Sequence, residues 1–231
     1  MKSEPPTHFL SMRIVNPALN SNLQTHFYDK AIPYKNGSAR NHLIPSSKFH
    51  ITLFVFRISN SDDEEIALQC FDRCRNLINT HFQEPPILSF KGFRTFGAGR
   101  VIFANVEENA ELNRLRTFRS KSHTIVCLEP QHFMNLTIFY CPLDDAYDMF
   151  KAAGLIGKDE RDWTVHATVA KVQGKGGVVL KDLWHEQFAD IDDIHLGTCT
   201  FESVELSCMQ LKGEDGYYLP LSILPFNRTV V

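Results

Sequence analysis

Two short segments of the chain carry the same pair of polar side chains, a histidine followed two residues later by a threonine. The pairs are His50 with Thr52 and His166 with Thr168, each within a run of apolar, β-branched or aromatic residues typical of a β-strand. Because residues i and i+2 of a strand point to the same side, each pair shares one face. Two such strands facing one groove would present two imidazoles and two hydroxyls to one small anion. That arrangement suits metal-free acid–base chemistry on a phosphodiester.

The spacing alone is weak evidence, because a chain with ten histidines is expected to contain about one His-x-Ser/Thr by chance. The simpler alternative is two strand histidines whose ring nitrogens are satisfied by nearby backbone groups. The strand-like flanks of both copies, and their positions in opposite halves of the chain, favour the functional interpretation.

The composition limits the class of partner. The chain has 231 residues, 43% of them hydrophobic, so it can bury a substantial core as one large domain or two lobes. A net charge of −3 disfavours an extended polyanion-binding surface and is easier to reconcile with a nucleotide or short oligonucleotide. No apolar run approaches the roughly 18 residues of a membrane span, and the chain shows no secretory signal, so we expect no membrane partner.

The six cysteines indicate free thiols in a reducing compartment, which predicts the cytoplasm, the nucleus or both. Cys70 and Cys74 lie one helical turn apart and could ligate zinc with His81, but buried apolar thiols are the favoured interpretation. We therefore expect no metal and no cofactor.

The hydrophobic pattern predicts an α+β fold. The predicted order is strand–helix–strand–helix–strand–strand, then helix–strand–helix–strand–strand, so each half contains one histidine strand flanked by helices and paired strands. This repetition suggests two similar lobes that enclose a cleft. The chain is predicted to close with two long strands, at residues 198–211 and 217–224.

The paired motifs resemble those of the two-histidine (2H) phosphoesterases, and more closely those of the phosphoesterase-like domain of A-kinase anchoring proteins. Further segments resemble that domain in the same order: Phe9-Leu10-Ser11, Phe90-Lys91-Gly92, Thr95-Phe96, Val204-Glu205-Leu206 and Tyr217-Tyr218. The resemblance implies a bilobal fold with two antiparallel sheets facing each other across a central cleft and helices on the outside. It also implies metal-independent phosphodiesterase action on RNA-type linkages, such as 2′-5′ bonds or 2′,3′-cyclic ends.

In such a mechanism one imidazole takes a proton from a 2′-hydroxyl or water, and the other protonates the leaving oxygen. Thr52 and Thr168 would hold the non-bridging phosphate oxygens, while the sequence leaves open which histidine is acid and which is base. For stacking on a nucleobase, Phe96 and Tyr218 are candidates, although each could instead belong to the core. Lys171 could add positive charge beside the second motif, or could be a solvated strand end.

Two other function classes stay open. The four motif residues could bind a nucleotide with little turnover, since binding and catalysis differ by sub-ångström placement. An anchoring scaffold would need an amphipathic helix that docks a dimeric partner. Only seven residues follow Leu224, too few for such a helix, so we expect no kinase regulatory subunit as a partner. Lys2 stands where a myristoylation signal has glycine, so we expect no lipid anchor of that kind. We expect a monomer.

One segment departs from the family pattern. Joining residues 115–118 directly to 143–147 would restore a continuous helix, so residues 119–142 are predicted to be an insertion within a single domain spanning residues 1–231. The segment is apolar in places, and unpaired apolar chain invites aggregation. We expect it to be peripheral to the site.

Overall fold

The fold is defined by a computed structural model that describes residues 4–119, 145–157, 163–174, 177–189 and 193–226. The strands are β1 (His8–Arg13), β2 (His50–Phe56), β3 (Ile87–Phe96), β4 (Val101–Val106), β5 (His166–Lys171), β6 (His195–Thr200), β7 (Ser203–Lys212) and β8 (Tyr218–Pro225). The helices are α1 (Pro17–Leu23), α2 (Asp29–Ala31), α3 (Ser61–His81), α4 (Ala110–Arg119), α5 (Ala146–Ala152) and α6 (Gly177–Gln187). A π-helical turn, Gln24–Tyr28, joins α1 to α2.

The eight strands pair antiparallel in the order β6-β3-β4-β5-β2-β1-β7-β8. The α+β class is therefore confirmed. Instead of two separate sheets, the described strands form one sheet, because the histidine strands β2 and β5 are neighbours at its centre. They pair only at Ile51 and Ala167, so two four-stranded halves meet at a single point.

One half of the sheet combines strands from the two ends of the sequence, and the other half consists of the four middle strands. β1 and β2 pair with the C-terminal β7 and β8, whereas β3 and β4 pair with β5 and β6. The predicted division into two lobes along the sequence is therefore wrong, because non-local pairing decides which strands lie together. The predicted strand 198–211 is likewise two strands. It breaks at the buried Phe201, whose amide N–H donates to the Pro86 carbonyl (3.0 Å), and the chain crosses from one half of the sheet to the other.

The longest described helix, α3, shows why the sequence forms these elements. Asn60 caps it by accepting the Asp63 amide N–H (2.9 Å), and acidic residues fill its first turn, where the helix dipole favours them. Cys70 and Cys74 lie on its buried stripe, and the Cys74 thiol donates to the Cys70 carbonyl. The predicted core thiols are therefore confirmed.

Two predictions, the insertion at residues 119–142 and the lack of a membrane span, can be compared with the structure only over the described residues. Apart from Arg119, which ends α4, the predicted insertion lies outside them. In the ranges given above, no helix has the length and apolar character to cross a membrane.

Candidate functional site

Both histidine motifs line one cleft at the centre of the sheet, with a volume of about 760 Å³. The structure brings together there every side chain that the sequence analysis singled out for the site. These are His50, Thr52, Phe96, His166, Thr168, Lys171 and Tyr218.

The register of the two central strands sets how the motifs face each other. Ile51 pairs with Ala167, so continuing the register by one residue in each direction places His50 opposite Thr168 and Thr52 opposite His166. The two histidines are then diagonal neighbours across the strand pair, about 7–8 Å apart at their backbones. In this register each histidine is opposite the threonine of the other motif, so all four polar groups can face one ligand.

Each imidazole is oriented by the backbone carbonyl two residues before it. His50 Nδ1 donates to the Lys48 carbonyl (2.8 Å), and His166 Nδ1 donates to the Thr164 carbonyl (2.7 Å). Because a carbonyl oxygen can only accept, Nδ1 carries the proton in both neutral rings. Nε2 of each ring is thereby left to accept or donate a proton.

The two motifs differ at Nε2. The Thr52 hydroxyl lies 3.1 Å from His50 Nε2 and can donate to it, since Nδ1 holds the proton of that ring. Among the described residues, His166 has no matching bond to Thr168. Thr52 therefore interacts with its own histidine before any ligand arrives, whereas the Thr168 hydroxyl does not bond its own histidine.

Burial makes both imidazoles hard to protonate. The pKa of His50 is lowered to about 4; burial is the largest cause, the Lys48 carbonyl opposes it, and the nearby His166 adds to the lowering. Burial also lowers the pKa of His166, with a contribution from the positive charge of Lys171. Both rings are therefore neutral at pH 7 in the ligand-free protein.

This burial predicts an acid-sensitive fold. The unfolded chain protonates His50 near pH 6.5 but the folded protein only near 4, so the unfolded state binds more protons between these values. The free energy of unfolding should fall as pH decreases through this window and should not depend on His50 above it. We expect urea unfolding at pH 7.5 and pH 5 to show a larger loss for wild type than for His50→Gln. His195→Gln, an exposed control on β6, should match wild type; equal losses in all three proteins would contradict the account.

Aromatic rings pack against both imidazoles. Phe9 lies 5.1 Å from the His50 ring and Tyr218 meets it edge-on at 5.7 Å, while Phe96 meets His166 edge-on at 5.1 Å. Phe96 is 36% exposed, with one neighbour, Phe103, stacked on it at 4.3 Å. Phe96 and Tyr218 thus line the cleft and pack against the histidines there.

A cluster that the sequence did not predict lies at the same cleft, formed by Arg119, Tyr147 and Trp163. The Arg119 guanidinium lies over the rings of Tyr147 (4.5 Å) and Trp163 (5.0 Å), and all three residues line the cleft. The predicted insertion was expected to be peripheral, and for its first residue, Arg119, that is wrong. Trp163 is one of only two tryptophans and lies three residues before His166, which was the available signal.

The cleft suits an anion. Among the described residues that line it are three cations, Lys48, Arg119 and Lys171, and no Asp or Glu. Within the described part of the chain, no three His, Cys, Asp or Glu side chains are grouped so that they could hold a metal ion.

The model of one protein family, described as the AKAP7 2'5' RNA ligase-like domain, matches residues 6–226. Human A-kinase anchor protein 7 isoform gamma is 27% identical over 129 residues, which cover 52% of this chain and 36% of that protein. The chain thus spans about a third of the length of the curated relative that it matches.

Solved structures share the fold. LigT of Escherichia coli, crystallised with 3'-AMP, is 12% identical with a TM-score of 0.56, and the match covers 97% of this chain and 100% of that one. The protein TT0787 of Thermus thermophilus is 14% identical with a TM-score of 0.55, covering 96% and 99%. At such low identity the similarity concerns the fold alone.

Proposed function

Because the chain belongs to the AKAP7 2'5' RNA ligase-like domain family, within the 2H phosphoesterase superfamily, we propose that it is a phosphodiesterase acting on RNA-type linkages. The substrates would be 2′-5′ oligonucleotides or 2′,3′-cyclic phosphate ends. One observation carries the proposal: two imidazoles share an anion-suited cleft with two threonines. Among the described residues, Nε2 of His50 bonds only a hydroxyl and Nε2 of His166 has no partner. The imidazoles supply both proton transfers, so the reaction as proposed needs no metal ion.

The environments of the two histidines suggest their roles. His50, with a pKa lowered to about 4, is the better candidate for the neutral base, which takes a proton from a neighbouring ribose hydroxyl or from water. The oxygen so activated bonds to phosphorus. His166, beside the exposed strand end at Lys171, is the candidate acid, and its proton passes to the leaving oxygen as the P–O bond breaks. Thr52 and Thr168 would hold the non-bridging oxygens, where negative charge increases in the transition state.

The alternative is a nucleotide-binding module with little turnover. LigT, which shares this fold, has been crystallised with 3'-AMP, with ATP and with phosphate, so a protein of this fold can bind nucleotides. The same four motif residues would then bind a phosphate of an AMP- or CMP-like ligand.

A substrate panel separates the two functions. We would incubate the protein in EDTA with 2′-5′ and 3′-5′ oligonucleotides and with 2′,3′-cyclic nucleotides, and identify products by mass spectrometry. Cleavage of at least one RNA-type linkage is expected. Binding of a nucleotide by calorimetry, with no product from any substrate, would replace the phosphodiesterase by the binding module.

The proposed roles predict an acidic optimum for kcat/KM, which reports the pKa values of the free protein. As pH falls, neutral His50 is lost only near pH 4, its lowered pKa. As pH rises, protonated His166 is lost at its own pKa, which burial holds below the ordinary value of 6.5. The expected profile is a bell between these limits. A bound phosphodiester stabilises the imidazolium, so the alkaline limb of kcat should lie at higher pH than that of kcat/KM.

A variant of Lys171 tests the assignment of His166 as the acid. Its charge lowers the pKa of His166, so Lys171→Gln should move the alkaline limb of kcat/KM to higher pH. Lys30→Gln, remote from the cleft lining, should leave the limb in place. A Lys171→Gln profile that coincides with wild type would contradict His166 as the acid.

The free cysteines and the position of both histidines in one chain bear on the compartment and the oligomeric state. Cys70, Cys74, Cys199 and Cys208 are free thiols, which fits a reducing compartment such as the cytoplasm or nucleus. A monomer is sufficient for the proposed reaction, since one chain supplies both histidines.

A further inference from the structure

Both histidine strands contain one extra residue directly after the motif threonine. In β2 the pairing with β1 skips Leu53, and in β5 the pairing with β4 skips Val169. An extra residue of this kind is a β-bulge, which turns the neighbouring side chains and leaves one residue outside the regular pairing. The equivalent position in both strands ties the bulges to the motifs.

The bulge decides which face each motif residue takes. Side chains alternate along a strand, so moving the extra residue one position back, from Leu53 to Thr52, would leave Thr52 outside the regular pairing and change the direction of its side chain. The face of β2 on which Thr52 lies therefore depends on the contacts that keep the extra residue at Leu53. On β5 the corresponding carbonyl, that of Val169, accepts the Ile44 amide N–H (2.9 Å).

On β2, two cleft-lining side chains donate hydrogen bonds to the backbone at the extra residue. Arg119 Nε donates to the Leu53 carbonyl (3.1 Å), and Trp163 Nε1 donates to the Thr52 carbonyl (2.9 Å). Two successive carbonyls are thus held at the place where β2 and β5 no longer pair. The guanidinium also lies over the indole ring, so the two donors support each other.

We propose that Arg119 and Trp163 are positioning residues that hold the β2 bulge at Leu53 and thereby fix His50 and Thr52 relative to His166. This rests on the proposed function, because it assigns how that site is kept in register. The two residues act through the backbone of β2, and the chemistry remains with the histidines.

Trp163→Phe tests the proposal with the least disturbance, because an aromatic ring is kept and the N–H donor is lost. We expect kcat to fall on the order of 10- to 100-fold with KM nearly unchanged, as small misplacement of reacting groups lowers the rate of chemistry. The matched control is Trp184→Phe, which changes the other tryptophan, in α6, and should leave both constants unchanged. Arg119→Lys should fall between wild type and Arg119→Gln, with Arg116→Gln on the same helix as its control.

A second readout needs no substrate. If the bulge shifts, Thr52 no longer donates to His50 Nε2, and the pKa of His50 rises in NMR titrations of Trp163→Phe but not of Trp184→Phe. An unchanged His50 titration in a folded Trp163→Phe protein would overturn the positioning role, whatever the activity. If wild type cleaves no substrate, the phosphodiesterase proposal fails while this titration still decides the role of Trp163.

Discussion

Replacing either histidine should remove most of the turnover. His50→Ala and His166→Ala each delete one of two coupled proton transfers, each of which typically contributes about 10²- to 10⁴-fold. Because both transfers serve the same phosphate, the double variant should be little slower than either single one. Initial rates on a substrate that wild type cleaves measure this directly.

His195→Ala is the control for these variants, because His195 is exposed on the edge strand β6, remote from the central strands. Nucleotide affinity of the two cleft variants should fall only modestly, since a neutral imidazole contributes one hydrogen bond to a bound phosphate. Full activity in both single variants would show that the two histidines are not the acid and the base.

Removing the threonine hydroxyls should have the next largest effect. Thr52→Val and Thr168→Val keep the β-branched shape and lose one hydrogen bond to a charged phosphate oxygen, which we expect to lower kcat/KM on the order of 10- to 100-fold. Thr52→Ser and Thr168→Ser, which retain the hydroxyl, should recover most of the rate. Valine variants as active as wild type would show that the hydroxyls do not contact the transition state.

The two threonine variants should also differ in pH dependence. Only Thr52 bonds its own histidine, and its hydroxyl stabilises the neutral His50 ring by donating to Nε2. Thr52→Val should therefore raise the pKa of His50 and move the acid limb of kcat/KM to higher pH, whereas Thr168→Val should leave that limb unchanged. The same shift in both variants would contradict the asymmetry between the motifs.

The local pattern of the sequence was sufficient to predict the histidine strands and the direction of their side chains. His50 and Thr52, like His166 and Thr168, share a face because strand periodicity is a property of the backbone. The α3 helix was likewise predictable from its acidic first turn and its apolar stripe.

The parts that the pattern did not predict depend on contacts between distant segments. The pairing of β1 with β7 and of β3 with β6 has no local signal, so the predicted lobes followed the sequence instead of the sheet. The bulges at Leu53 and Val169 exist only relative to a neighbouring strand. Arg119 reaches β2 from the end of α4, a placement that depends on the packing of that helix.

The most direct test of the two-histidine mechanism is cleavage of a 2′-5′-linked oligoadenylate by wild type in EDTA, beside the His50→Ala/His166→Ala double variant purified in parallel. Wild type should release shortened products, and the double variant, folded by circular dichroism, should release almost none. Equal cleavage by both proteins, or wild-type cleavage that EDTA abolishes and a divalent ion restores, would contradict acid–base catalysis by His50 and His166.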